Sequence, residues 1–286
     1  MIEPLVYIIL INYNGYKDTI ECVRSIEKIT YKNYKIVIID NASTDNSIDI
    51  LRQTLKNYKI IQNDKNLGFA GGNNVGIRYA LENGAEYILL LNNDTVVDKD
   101  FLSYLIKGFS VKENVGMVGG KIYYYDKPDK IWYAGGKFNK LRARGVHFTL
   151  DNNIDYKEVK FITGCLQLIS ADAIKKVGLM KEGYFLYYED VDYCFRFIKK
   201  GYKLIYSRNS IIYHKCGGSA NYKSPLSIYY SNRSRFLFIN ENLDGILLII
   251  SNIIFFLEFF IKFIIYKKDN KKSLLKVYNY IKNWRT

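Results

Sequence analysis

The chain has 286 residues, 42 Lys+Arg against 28 Asp+Glu and a formal charge of +14, with hydrophobic residues at 49% and charged ones at 24%. That balance, with three prolines, excludes a disordered or Pro-rich chain, and the length suffices for one large or two small domains at roughly 150 residues each. Lys262–Thr286 holds eight basic side chains and one acidic, so +7 of the +14 lies in the last 25 residues and points to an anionic surface rather than to nucleic acid, for which no motif is present.

The opening apolar run, LVYIILI at 5–11, is a strand covered on both faces; it is too short for a signal peptide and lacks a basic leader. A helical pattern spans 17–29, with Ile20, Val23, Ile26 and Ile29 at three-residue spacing. Strands follow at 35–39, 58–61 and 86–91, separated by helices at 47–55 and 73–81. This alternation predicts a doubly wound α/β sheet with ligands outside the strands' carboxyl ends, where Asn12-Tyr13-Asn14, Asp40-Asn41-Ala42-Ser43, Asn66-Leu67-Gly68-Phe69 and Asn92-Asn93-Asp94 fall. Residues 115–163 are β-like and irregular; helices are expected at 171–177 and 190–200, a short strand at 203–206, and helix from 224 onward. The four cysteines, Cys22, Cys165, Cys194 and Cys216, form no CxxC pair and read as reduced thiols of an intracellular protein.

Gly68–Gly76 is glycine-rich but is neither G-x-G-x-x-G nor a P-loop; it is either a tight turn or a helix N-terminus open to an anion. Asp94 closes a strand, where it suits a hard divalent cation or caps the next helix. In Tyr-Glu189-Asp190-Val-Asp192, Asp192 precedes Arg196 by four residues and pairs with it, while Asp190 projects elsewhere and is free for a site. His147 reads as a hydrogen-bonded structural residue.

Taken in order, ILINYNG, IIDNAST, NLGFAGGNN, LLNNDT, YEDVD and YH resemble a family 2 inverting glycosyltransferase of the GT-A fold, closest to its rhamnosyltransferase-like branch. The resemblance implies a GT-A catalytic domain over 1–240 with a mixed doubly wound sheet; residues 241–286 beyond it read from their own composition as a helical, basic, membrane-associating extension. It implies that Asn12 and Asn14 line the nucleotide pocket, and that Asp40 holds the base or ribose. It places Asn66, Gly68 and Asn73 on the loop around the nucleotide and diphosphate, with Asn93 in the same nucleotide-sugar site. Asp94 matches the last acid of the metal motif, although Asn92 stands where many members carry Asp. Asp190 matches the catalytic base, and His214 a histidine that completes the metal shell in some relatives. The implied reaction moves a sugar from a nucleoside diphosphate sugar to a glycan or lipid-linked glycan, with Mn²⁺ or Mg²⁺ as cofactor. Tyr229, Tyr230 and Arg233 resemble a further Tyr-Tyr/Arg motif without an assignable role.

The apolar run 246–266 is long enough to cross a bilayer, but Glu258 and Lys262 inside it are costly there. They are expected to pair at i,i+4. An interfacial helix with a basic follow-on is favoured over a span or a protein-packed helix, which places the protein on the cytoplasmic side, peripheral to the membrane. A nucleotidyltransferase is the alternative enzyme, but its basic, glycine-rich loop after strand one is missing. A non-catalytic binding module rests on Asn92 alone.

Overall fold

A computed structural model describes residues 3–216 and 224–284; Gly217 and Gly218, which follow the His214 motif, lie outside the described residues. The chain runs β1 (Val6–Asn12), α1 (Tyr16–Ile26), β2 (Tyr34–Asp40), α2 (Ser47–Thr54), β3 (Lys59–Gln62), α3 (Gly68–Glu82), β4 (Tyr87–Asn92), β5 (Thr95–Val97), α4 (Phe101–Lys107) and β6 (Val115–Tyr124). There follow β7 (Lys127–Tyr133), β8 (Gly136–Asn139), β9 (Arg144–His147), β10 (Tyr156–Val159), β11 (Leu166–Ser170), α5 (Ala171–Val177), α6 (Glu189–Lys199) and β12 (Lys203–His214). Three helices close the described chain: α7 (Pro225–Asn242), α8 (Gly245–Ile265) and α9 (Lys268–Lys282).

Ten strands form one mixed sheet in the order β10-β12-β6-β11-β4-β1-β2-β3, with β5 on β12 and β7 on β6; β8 and β9 make a separate hairpin. The expected parallel half is present, with β1 between β2 and β4 and β3 beyond β2. The sheet becomes mixed at β11, which runs antiparallel to both β4 and β6. The pleat sends successive β1 side chains to opposite faces. Ile9 and Ile11 meet α3, whereas Asn12 meets Thr19 of α1, so helices cover both sides.

Helix α3 begins at Gly68, five residues before the position expected from the sequence, and its glycines explain the difference. Gly72 and Gly76 face the sheet. A Cβ on Gly76 would lie 2.4 Å from Ile9 Cγ2, and one on Gly72 3.1 Å from Ile11 Cδ1. The missing side chains let the helix lie close against the sheet, which outweighs their poor helix propensity. Gly76→Ala is expected to lower stability by about 1–3 kcal/mol through overpacking, measured by urea unfolding; an unchanged midpoint would contradict this packing.

Two further boundaries differ from expectation. Strand β12 continues to His214, because the polar Ser207–Ser210 stretch is an irregularity between two paired segments and not a strand end. There Arg208 bonds Asp151 at 2.9 Å and Asn209 bonds Asp155 at 3.1 Å. The C-terminal helix is interrupted at 243–244 and 266–267, giving three helices.

Candidate active site

The carboxyl ends of β1 and β2 are joined by a buried polar network. Asn12 lies opposite Asp40 in the ladder and donates from Nδ2 to Asp40 Oδ2 at 2.8 Å and to Ser43 Oγ at 3.0 Å, while its Oδ1 accepts from Thr19 at 2.9 Å. Ser43 adds its N–H and its hydroxyl to Asp40, at 3.0 and 2.6 Å. Asn12 and Asp40, expected against the nucleotide, are therefore fully buried and bonded to protein. They shape the exposed tip, where Asn14 exchanges hydrogen bonds with Thr44. Asn93 joins the same network through Thr19, at 2.9 Å.

Asn41, quoted within its motif but not singled out, ties the β2 tip to the loop before α3. It donates to Asn66 Oδ1 and Gly68 O and accepts from Asn63 Nδ2 and the Leu67 N–H, all at 3.0 Å. The Gly68 N–H is taken by Asn66 at 2.8 Å and the Phe69 N–H by Phe185 O at 2.7 Å. These two N–H groups of the helix start are thus engaged with protein. Asn73 is buried and donates to Phe69 O at 3.1 Å.

Asp94 and His214 are 120 positions apart in sequence but meet because β5 pairs antiparallel with β12, setting His214 opposite Thr95. His214 Nε2 lies 3.1 Å from Asp94 Oδ1, and both side chains are largely buried. Burial works to raise the Asp94 carboxyl, but the His214 contact and the charge of Lys215 outweigh it and hold it below the ordinary range. Among the described residues no group of three His, Cys, Asp or Glu side chains is arranged to hold a metal ion by itself. An Asp oxygen and an imidazole nitrogen at this spacing still fit Mg²⁺ or Mn²⁺, which commonly takes one or two protein donors and completes its shell with phosphate oxygens and water. His147 packs between Trp132, Tyr133 and Phe161, as its structural reading expected, and burial pulls its imidazole down to about 4.

Asp190 stands in the first turn of α6. Its Oδ2 accepts from the Gly164 N–H at 2.9 Å and its Oδ1 from the Val191 N–H at 2.8 Å. Burial raises its carboxyl above the ordinary range while those two N–H groups work against the rise. Neighbouring Glu189 is buried, with its carboxyl pushed well up by burial and then by Asp190. Asp192 pairs with Arg196 at 2.7 Å, as expected, and also accepts from Tyr184 and Asn242. It is structural.

The turn 163–165, which the sequence did not single out, connects these parts. Gly164 holds Asp190, and Cys165 O accepts the Asn92 N–H at 3.0 Å, two residues before Asp94. A Cβ on Gly164 would approach Asp190 Cβ to 3.3 Å and Phe69 Cε1 to 3.4 Å, so the glycine makes this close approach possible.

The loop before α6 is strained: Phe185, Tyr187 and Tyr188 all have left-handed φ, of 53°, 63° and 72°. Helix α7 clamps it. Tyr230 stacks on Phe185 at 4.8 Å, Arg233 Nη1 donates to Gly183 O, and Ser234 Oγ to Tyr184 O and Leu186 O. Tyr230 and Arg233 thereby acquire a structural role.

The fold is that of the GT-A glycosyltransferases. It superposes on GalNAc-T7, solved with UDP, GalNAc and Mn²⁺, with a TM-score of 0.64 at 15% identity, covering 87% of this chain and 54% of that one. It also superposes on mannosyltransferase PcManGT of Pyrobaculum calidifontis, in complex with GDP-Man and Mn²⁺, with a TM-score of 0.61 at 13% identity, covering 100% and 82%. The chain belongs to glycosyl transferase family 2, whose profile matches residues 7–178, and it is a glycosyltransferase. Among curated relatives, it is 26% identical over 258 residues to the dTDP-rhamnosyl transferase RfbF of Shigella flexneri, covering 87% of this chain and 85% of that protein.

Proposed function

We propose that the protein is a divalent-cation-dependent, inverting glycosyltransferase moving a sugar, with rhamnose the leading candidate, from a nucleoside diphosphate sugar to a glycan or lipid-linked glycan in polysaccharide biosynthesis. The observation that carries this reading is the 163–165 turn, which sets a half-buried carboxylate, Asp190, beside the strand end bearing Asp94 and His214. The relative's dTDP-sugar and the Mn²⁺ and nucleotides of the solved structures support the donor class.

In this reading Asp94 and His214 hold the cation, which when bound stabilises charge on the departing diphosphate. Asp190 takes the proton from the acceptor hydroxyl as it attacks the anomeric carbon from the face opposite the leaving group. The Gly164 and Val191 N–H groups keep its carboxylate aimed. Asn14, Asn66, Gly68 and Asn93 border the nucleotide, while Asn12, Asp40 and Asn73 act from beneath. Residues 1–240 form the catalytic unit.

Residues 241–286 provide the membrane-facing part, on the cytoplasmic side. Glu258 does not pair with Lys262 as expected; it reaches Arg144 and Arg235, each at 2.5 Å, and Lys262 reaches Asn232 at 2.8 Å. The long-range cations compete better because they converge on the inner side of α8. That leaves Ile246, Ile249, Ile253, Leu257, Phe260 and Ile264 exposed along one stripe, with Lys268, Lys272 and Lys276 exposed on α9. An apolar stripe beside lysines suits an anionic bilayer surface, and the inward charges favour a helix lying on that surface over one spanning it.

A panel of dTDP-, UDP- and GDP-sugars with Mn²⁺ is expected to show nucleoside diphosphate release with one donor class, and more with a glycan acceptor. No release from any donor would overturn the enzymatic reading.

A further inference from the structure

A second charged centre lies between α7, α8 and the β8–β9 turn. Arg142 and Arg144 flank the tip of that hairpin, Arg235 comes from α7 and Lys262 from α8. The ion pairs of the three arginines all end on one carboxylate, Glu258. Lys262 has no carboxylate partner among the described residues and donates to Asn232. Four cations against one carboxylate leave an excess of three positive charges in a partly buried place, an arrangement that calls for an anion. Arg235 is 3% exposed, and its Nη2 has no hydrogen-bond partner. A buried guanidinium N–H left open is costly unless something fills the position. Arg142 and Arg144 are more open, with side-chain exposures of 57% and 38%, so the centre has an entrance from solvent. Burial, and then Arg235 and Arg144, pull the Lys262 ammonium down to about 8, as expected where positive charge is in surplus.

Its position is informative. Phe138 on β8 packs on Phe195 of α6 and Phe238 of α7, at ring distances of 5.8 and 5.6 Å, and Tyr188 packs on the same Phe238 at 5.8 Å. Tyr188 is two residues before Asp190. Tyr188 also feels the charges of Arg235 and Arg144, so the basic centre lies toward the loop that leads to Asp190 on one side and toward the exposed stripe of α8 on the other.

We propose that Arg142, Arg144, Arg235 and Lys262 form a receptor for a phosphoryl group at the membrane surface, the phosphate or diphosphate that joins an acceptor sugar to its lipid. Arginines suit this ligand because their planar forks pair with phosphate oxygens, and the open Nη2 of Arg235 supplies a buried donor. Glu258 holds the arginines together when no phosphoryl group is bound. The acceptor class rests on the proposed function; the anion site stands on its own geometry.

The test uses the full chain and two probes. The first is inorganic pyrophosphate, titrated in chelator so that cation-dependent binding at the donor site is suppressed. The second is flotation with phosphatidylcholine vesicles, with or without about a third phosphatidylglycerol. Arg142→Gln with Arg144→Gln is expected to weaken pyrophosphate binding about tenfold or more, while Glu258→Gln, which removes the internal competitor, tightens it severalfold. Loss in the pyrophosphate arm identifies a free phosphoryl ligand such as the acceptor linkage. Loss confined to anionic vesicles identifies a bilayer headgroup as the source of the same chemistry. Binding by the double variant equal to wild type in both arms, with circular dichroism unchanged, would overturn the site. Because both readouts are binding, that outcome leaves the transferase reading standing.

Discussion

Replacing Asp190 by Asn is expected to lower turnover by about 10² to 10⁴-fold, the range for loss of a positioned general base, while donor binding is kept. The substitution is nearly isosteric, and an amide oxygen can still accept from the Gly164 or Val191 N–H, so the first turn of α6 should persist. Donor-induced thermal shift would then match wild type while transfer fails. The pH profile supplies a second check. A base works as its carboxylate, so activity falls as pH drops through its pKa. Burial places that pKa above the ordinary aspartate value of about 4, and the acid limb should lie correspondingly high. Near-normal turnover in the Asn variant would remove Asp190 from the mechanism.

Chelation is expected to abolish transfer, with Mn²⁺ or Mg²⁺ restoring it, and Asp94→Asn should cost several kcal/mol of barrier, on the order of a hundredfold or more in rate. Asp94 stays ionised because the His214 contact overcomes its burial, which keeps its carboxylate ready for a cation. Removing the imidazole by His214→Ala should weaken cation binding and leave the β5–β12 ladder in place, since that pairing is made by backbone. Full activity in chelator would exclude the metal role.

The first half of the fold was legible because β1, β2 and β4 are buried on both faces and end in polar clusters, a signal confined to each strand. The second half was not, since β6, β11 and β12 depend on non-local pairings and β12 carries a polar irregularity at Ser207–Ser210. Asp94 was legible as a strand-end carboxylate and His214 through family resemblance; only the ladder explains why they meet. Asp40 and Asn12 were placed at the correct strand ends, yet nothing in a motif shows that their side chains turn inward. Glu258 illustrates a different gap. The i,i+4 rule sees only neighbours on one helix, and three arginines from elsewhere displaced the expected partner.

The inward face of α8 has a practical consequence. A helix with such an apolar exterior invites removal to make the protein better behaved in solution. Yet its own Ser251 and Phe255 are buried against the rest of the protein, and its Glu258 is the counter-ion of Arg235. Cutting at Gly245 would leave a buried guanidinium unpaired, a loss of about 3–5 kcal/mol against a total stability of about 5–15 kcal/mol. The helix that looks like an anchor also supports the catalytic unit, and a shortened enzyme would keep a smaller margin of stability than the full chain.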